Sequence, residues 1–198
     1  MKQVINQPVW NLPGLPSVQG LYHPGNEHDG CGIGFVAHIK GQKSHDIIEK
    51  GLEVNKNLTH RGAQGCDPCT GDGAGILSQI PHEFFHRVAA ETGVDLPEAG
   101  GYGVGMVFLP QDARTRQQCE AIFEAIVGEE GQHFLGWRDV PAKEDQIGAQ
   151  ARKTMPAIRQ FFIARELLNP MQFERKLYVI RKRITRAIRE SALPGKEW

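Results

Sequence analysis

The chain has 198 residues, 40% of them hydrophobic, and its 23 Lys and Arg balance 23 Asp and Glu to a formal net charge of zero. That balance argues against a partner held mainly by charge, such as bulk nucleic acid or an anionic membrane surface. The length suits one domain of ordinary size, and four cysteines do not make a disulfide framework, which points to a reducing, cytoplasmic setting.

Residues 1–30 stand apart. They carry Pro8, Pro13, Pro16 and Pro24 and show neither helical nor strand period, so they read as an extended arm or leader. They lack the apolar core of a secretory signal and the arginines of a transit peptide. No apolar run in the chain is long enough to span a bilayer. From Cys31 the character changes. "GIGFVAHI" is continuously apolar and predicts a strand buried on both faces. A helix follows from an N-cap at Ser44, with Ile47, Ile48, Gly51, Leu52, Asn55 and Leu58 on one face.

"GAGILSQI" predicts a second strand and "HEFFHRVAAETG" a helix ending near Gly93. A third strand, "YGVGMVFLP", precedes a helix with Asp112 as N-cap and Cys119, Ile122, Phe123 and Ile126 on one stripe. "HFLGWRDVP", "RQFFIARE" and "KLYVIRK" complete the predicted strands, and helical spacing returns at Ile180, Ile184, Ala187 and Ile188. Mixed strands and helices without a repeated βαβ winding favour a layered α/β sandwich.

Several stretches resemble sites and fall short of them. Cys66 and Cys69 form a C-x-x-C pair, but no second pair of Cys or His supplies the four ligands of a structural zinc. Their Pro- and Gly-rich surroundings predict a plain loop. "GDGAG" lacks the Gly-Lys-Ser/Thr ending of a phosphate loop and predicts a tight turn. From Glu174 to Trp198 eight Lys or Arg face three Glu, a basic stretch that reads as a solvated face or a surface for a missing partner domain rather than a nucleic-acid site. On residue type alone Cys31 is a small packing residue and Arg61 a surface cation. No histidine upstream of Cys31 is placed to serve it as a base.

The motifs "HDGCGIGFVAHIKG", "NLTHRGAQGCDPCTGDGAGILSQIPHEFF", "FLGWRDVP" and "FERKLYVIRKR" together resemble the amino-terminal glutaminase domain of the large subunit of glutamate synthase, a class II glutamine amidotransferase. The resemblance implies an α+β fold, the four-layer αββα sandwich of the N-terminal nucleophile hydrolases, incomplete at its C-terminal end. It implies that residues 1–30 are a propeptide cleaved between Gly30 and Cys31, with 31–198 the first part of the amidotransferase domain. Cys31 then becomes both N-terminal residue and nucleophile, and its own α-amine replaces the missing base. By the same resemblance Arg61, in the His-Arg-Gly motif, shapes the substrate site.

The implied substrate is L-glutamine, and the implied partners are the remainder of the large subunit and its small subunit, with no nucleic acid and no membrane. No cofactor or metal is expected in this segment; FMN and an iron–sulfur cluster are implied for the absent synthase region. The family's Asn-Gly oxyanion pair has no counterpart in the 198 residues. The isolated chain is therefore expected to be a fragment with little or no activity. Two further readings remain: a non-catalytic fragment that needs the missing portion, and a basic nucleic-acid-binding module.

Overall fold

The computed structural model describes residues 17–21, 23, 32–62, 69–71, 73–166 and 168–194. The chain divides into two compact units, Met1–Ser78 with Gln146–Arg152, and Gln79–Asp145 with Lys153–Trp198.

In the first unit the longest described element is α1, His45–Asn57, which begins at Ser44. Ser44 has extended backbone but its side chain caps nothing, so the expected boundary is right and the expected cap bond is not made. The two segments predicted as strands, 32–39 and 73–80, join no ladder among the described residues. Nor is the first of them buried: Ile33 is 96% exposed, Phe35 92% and Ile39 102%. Their apolar composition is the strand signal, but a strand exists only when a neighbour accepts its N–H groups.

The second unit is built on a three-stranded antiparallel sheet in the order β1-β3-β2. The strands are β1 (Tyr102–Leu109), β2 (His133–Asp139) and β3 (Ala157–Ala164). Side chains alternate along β3, so Phe161 and Ile163 face one side and Phe162 the other. The first side packs against α3 (Ala113–Glu129) and α5 (Pro170–Glu190), through Phe123, Ile126, Val127, Phe173, Ile180 and Ile184. The second side packs against α2 (His82–Glu91), where Phe85, Ala89, Val94 and Leu96 surround Tyr102 and Phe162. A short helix, α4 (Ala149–Thr154), escaped the sequence reading because six residues carry too little period to detect.

Close approach fixes the spacing between β1 and β3. A Cβ built at Gly105 would lie 2.0 Å from Cε1 of Phe161, so the ring occupies the space of the missing side chain. Asp112 caps α3 as expected, its carboxylate accepting from Thr115 N–H at 2.8 Å and from the Thr115 hydroxyl at 2.7 Å.

One predicted strand is corrected. "KLYVIRK" lies within α5, not in the sheet. Asn169 and Gln172 form a reciprocal capping box and Pro170 occupies the first turn, a start signal stronger than the β-like composition of Tyr178, Val179 and Ile180. The helical face Phe173, Ile180 and Ile184 begins before the segment that looked like a strand and runs through it.

Candidate functional site

Gly30 and Cys31 lie outside the described residues, as do residues 63–68 with Cys66. Among the described residues nearest to them in sequence, α1 is the spine. A Cβ built at Gly34 would stand 2.5 Å from Cγ1 of Val54, and one built at Gly32 would stand 2.8 Å from Cδ2 of Leu58. The backbone immediately after Cys31 therefore lies against α1 more closely than any side chain allows, which is why the segment reads "CGIG". A second tie comes from the other glycine-rich segment, whose Gly75 carbonyl accepts from Asn55 Nδ2 at 3.0 Å.

Leu58 closes α1, its N–H shared between the carbonyls of Val54 at 3.1 Å and Asn55 at 3.2 Å. The chain then tightens into a single 3₁₀ turn, Thr59–Arg61. Three bonds hold this turn: Thr59 Oγ1 donates to Lys56 O at 2.5 Å, His60 Nδ1–H to Asn57 O at 2.9 Å, and Arg61 N–H to Leu58 O at 2.8 Å. Arg61 itself is exposed, and its guanidinium makes no ion pair or hydrogen bond among the described residues. Gly32 and the turn that carries Arg61 thus share one contact residue, Leu58. The structure brings Arg61 and the backbone following Cys31 to the same end of one helix.

The remaining sequence candidates are placed as follows. Cys69 is exposed, and its backbone carbonyl accepts from Gly148 N–H at 3.0 Å. Cys119 is buried, and burial among apolar neighbours pushes its thiol pKa up, which keeps it protonated and unreactive. Among the described residues no three His, Cys, Asp or Glu come together as a metal site, and no helix is long and apolar enough to cross a membrane. The basic stretch as far as Glu190 lies in α5, whose charge is partly neutralised within the second unit. Glu130 accepts from Lys176 Nζ at 2.8 Å and from Arg183 at 2.8 Å, and Arg183 also pairs with Glu129.

The second unit holds two features that nothing in the sequence pattern marks. Tyr102, 2% exposed, has its hydroxyl 3.2 Å from His82 Nδ1, beside a cleft lined by His86, Arg87 and Glu98. Burial pushes the Tyr102 pKa up, so the phenol stays protonated. At the start of β2 an open cavity of about 440 Å³ is lined by Gly131, Gln132, His133, Glu166 and Leu168. Both depend on partners far apart in the chain, which a periodicity reading cannot pair.

Comparison with known proteins adds family to this geometry. The family model described as "Glutamine amidotransferases class-II" matches residues 31–197, beginning at Cys31. The large chain of glutamate synthase [NADPH] from Bacillus subtilis is 50% identical over 170 residues, 85% of this chain and 11% of that protein. Glutamate synthase [NADH] from Schizosaccharomyces pombe is 36% identical over 197 residues, 96% of this chain and 9% of that protein. The chloroplastic ferredoxin-dependent glutamate synthase of rice is 38% identical over 169 residues, covering 84% and 10%. The chain therefore spans about a tenth of the length of these relatives. A match over residues 31–197 and half-identity to a relative across most of the chain place it in one family: this chain belongs to the class II glutamine amidotransferases.

Proposed function

We propose that this chain is the first part of the glutaminase domain of a glutamate synthase, with Cys31 as its N-terminal nucleophile. The observation that carries the reading is the family match beginning at Cys31, directly after a proline-rich leader. Cleavage between Gly30 and Cys31 frees an α-amine with a reference pKa near 8. The amine takes the thiol proton and the thiolate attacks the side-chain carbonyl carbon of L-glutamine. The C–N bond then breaks, ammonia leaves with a proton returned by the amine, and a γ-glutamyl thioester remains. Water, deprotonated by the same amine, cleaves the thioester to glutamate and restores the thiol. Arg61, exposed on its rigid turn at the end of α1 nearest Gly32, is a positioning residue for this site.

The ammonia feeds reductive glutamate synthesis from 2-oxoglutarate in the longer protein. FMN and the iron–sulfur cluster of that reaction belong to the remainder of the large subunit. Among the described residues Cys119 is buried in α3 and no three His, Cys, Asp or Glu come together. Relatives named for NADPH, NADH and ferredoxin all match this same segment, which fits a donor specificity encoded elsewhere. In this reading the leader is a propeptide, the enzyme is cytoplasmic, and its protein partners are the rest of the large subunit and the small subunit. The fold is the αββα sandwich, in which the apolar segments 32–39 and 73–80 become paired inner strands.

The test is intact mass and glutaminase activity of the chain co-expressed with the downstream part of its domain. Loss of residues 1–30 and ammonia release are expected. Cys31→Ala is expected to lose activity by about 10³-fold or more, since no other nucleophile is available. A folded, active complex that keeps its leader would overturn the mechanism, because Cys31 would then have no amine to act as base.

A further inference from the structure

We propose that the outward face of α5 docks an acidic amphipathic helix of a partner protein. The surface lies wholly within the second unit and does not depend on the role of Cys31.

α5 turns Phe173, Ile180 and Ile184 into the core, so its opposite side is the one presented outward. Along that side run Met171, Arg175, Tyr178, Lys182 and Arg189, every one of them exposed. Met171 is 65% exposed and Tyr178 57%, so the stripe offers apolar surface between its charges. The long side chains support one another. Arg175 Nη2 lies 3.7 Å from Met171 Sδ, and the Arg181 guanidinium sits over the Tyr178 ring, 5.4 Å from its centroid.

The cations of α5 fall into two sets. Lys176 pairs with Glu130, Arg183 with Glu129 and Glu130, and Arg186 with Glu190. Arg175, Lys182 and Arg189 make no ion pair among the described residues, and no carboxylate shares their stripe. A merely solvated helix face ordinarily mixes both signs. In a chain whose formal net charge is zero, this is a local excess that calls for anions from outside.

Spacing says what carries those anions. Arg175, Lys182 and Arg189 recur every seven residues, about 10.5 Å apart along the axis. Met171 and Tyr178 keep the same period, each four residues before a cation. That is a heptad seam, the pattern one helix offers another. A partner helix with carboxylates at the same period meets all three cations and lays apolar side chains on Met171 and Tyr178. A nucleic-acid duplex carries a charge about every 1.7 Å of its axis, so it imposes no such period and gives Met171 nothing to pack on. A lipid surface would need an apolar helix face to bury, and that of α5 is already in the core. Nor does a second copy supply the partner from its described helices: in α1 Lys50 pairs with Asp46, and in α3 Glu120 is held by Arg159 and Glu124 by Trp137.

The experiment is fluorescence anisotropy of labelled probes titrated with the 198-residue chain at low, constant ionic strength. The first probe is a helix-forming peptide as long as α5, with Glu at every seventh position and Leu three residues after each. The second holds the same residues reordered so that its carboxylates point to different sides of the helix, and the third is a DNA duplex of the same length. Saturable binding of the first is expected, at least about tenfold tighter than of either other probe. Lys182→Glu is expected to weaken it at least about fivefold, and exchanging the peptide's central Glu for Lys is expected to restore binding to that variant. Lys143→Glu makes the same change in net charge at an exposed site off the stripe and is expected to leave affinity unchanged. Equal binding of the two peptides, tighter binding of the duplex, or no saturation overturns the proposal. So does a Lys143→Glu chain as impaired as Lys182→Glu, which would reduce the effect to net charge. Both substitutions change exposed side chains without an ion pair among the described residues, so the fold is kept and the comparison decides.

Discussion

Two glycines of the second unit carry opposite messages. At Gly105 a Cβ would fall 2.0 Å from the Phe161 ring, which itself meets Phe123 edge-on with centroids 5.3 Å apart and Trp137 at 5.5 Å. The ring cannot retreat without moving two others, so Gly105→Ala is expected to destabilise the unit by about 1–3 kcal/mol through overpacking. Gly128 is in the last turn of α3 with nothing within 4 Å of the Cβ position. There Gly128→Ala is expected to stabilise by up to about 1 kcal/mol, the ordinary helix preference for alanine. Urea denaturation of the two variants checks both signs; equal effects would mean that the Phe161 contact does not constrain β1. The sequence shows both residues only as glycines, since which one is crowded depends on a strand more than fifty positions away.

At the scale of elements, legibility followed how much of each element's cause is local. α3 is legible because its cap, Asp112, and its apolar stripe are contiguous, and the structure keeps both. α5 is only half legible because Tyr178, Val179 and Ile180 favour strands in isolation, while the Asn169–Gln172 capping box that starts the helix precedes them. The segments 32–39 and 73–80 look like strands for sound reasons, but their ladders require partners that no local pattern names. The turn of Arg61 was found through its motif, whereas its link to Gly32 through Leu58 needed the fold.

The clamp between α3 and α5 makes a pH prediction at the same scale. Hydrogen bonds from Lys176 and then Arg183 hold the Glu130 carboxyl below the usual glutamate pKa. A carboxylate whose folded pKa is depressed adds stability above its unfolded value, near 4.3, and loses it as pH falls towards the lower folded value. Thermal melts between pH 6 and 3 are therefore expected to show the parent losing more Tm on acidification than Glu130→Gln. Parallel curves would mean that these ion pairs contribute nothing measurable, as surface pairs often do.

For the whole molecule, the uneven distribution of its core is decisive. Every buried hydrophobic residue described belongs to the second unit, from Phe85 to Ile184, and α1 buries none. Stability in the isolated chain should accordingly be unequal, with local opening of the first unit far easier than global unfolding. The first unit also displays Phe35, Ile39 and Leu77 almost fully, side chains that a four-layer sandwich would cover. Hydrogen exchange read by mass spectrometry tests both points together. In the isolated chain, amides of β3 and α5 are expected to be protected by orders of magnitude over those of 32–39 and 73–80. Co-expression with the downstream part of the domain is expected to slow exchange in both segments, because pairing gives their N–H groups acceptors at last. Protection that stays absent in an active complex would show that these segments are not inner strands, and the four-layer reading would fail although the family assignment stands.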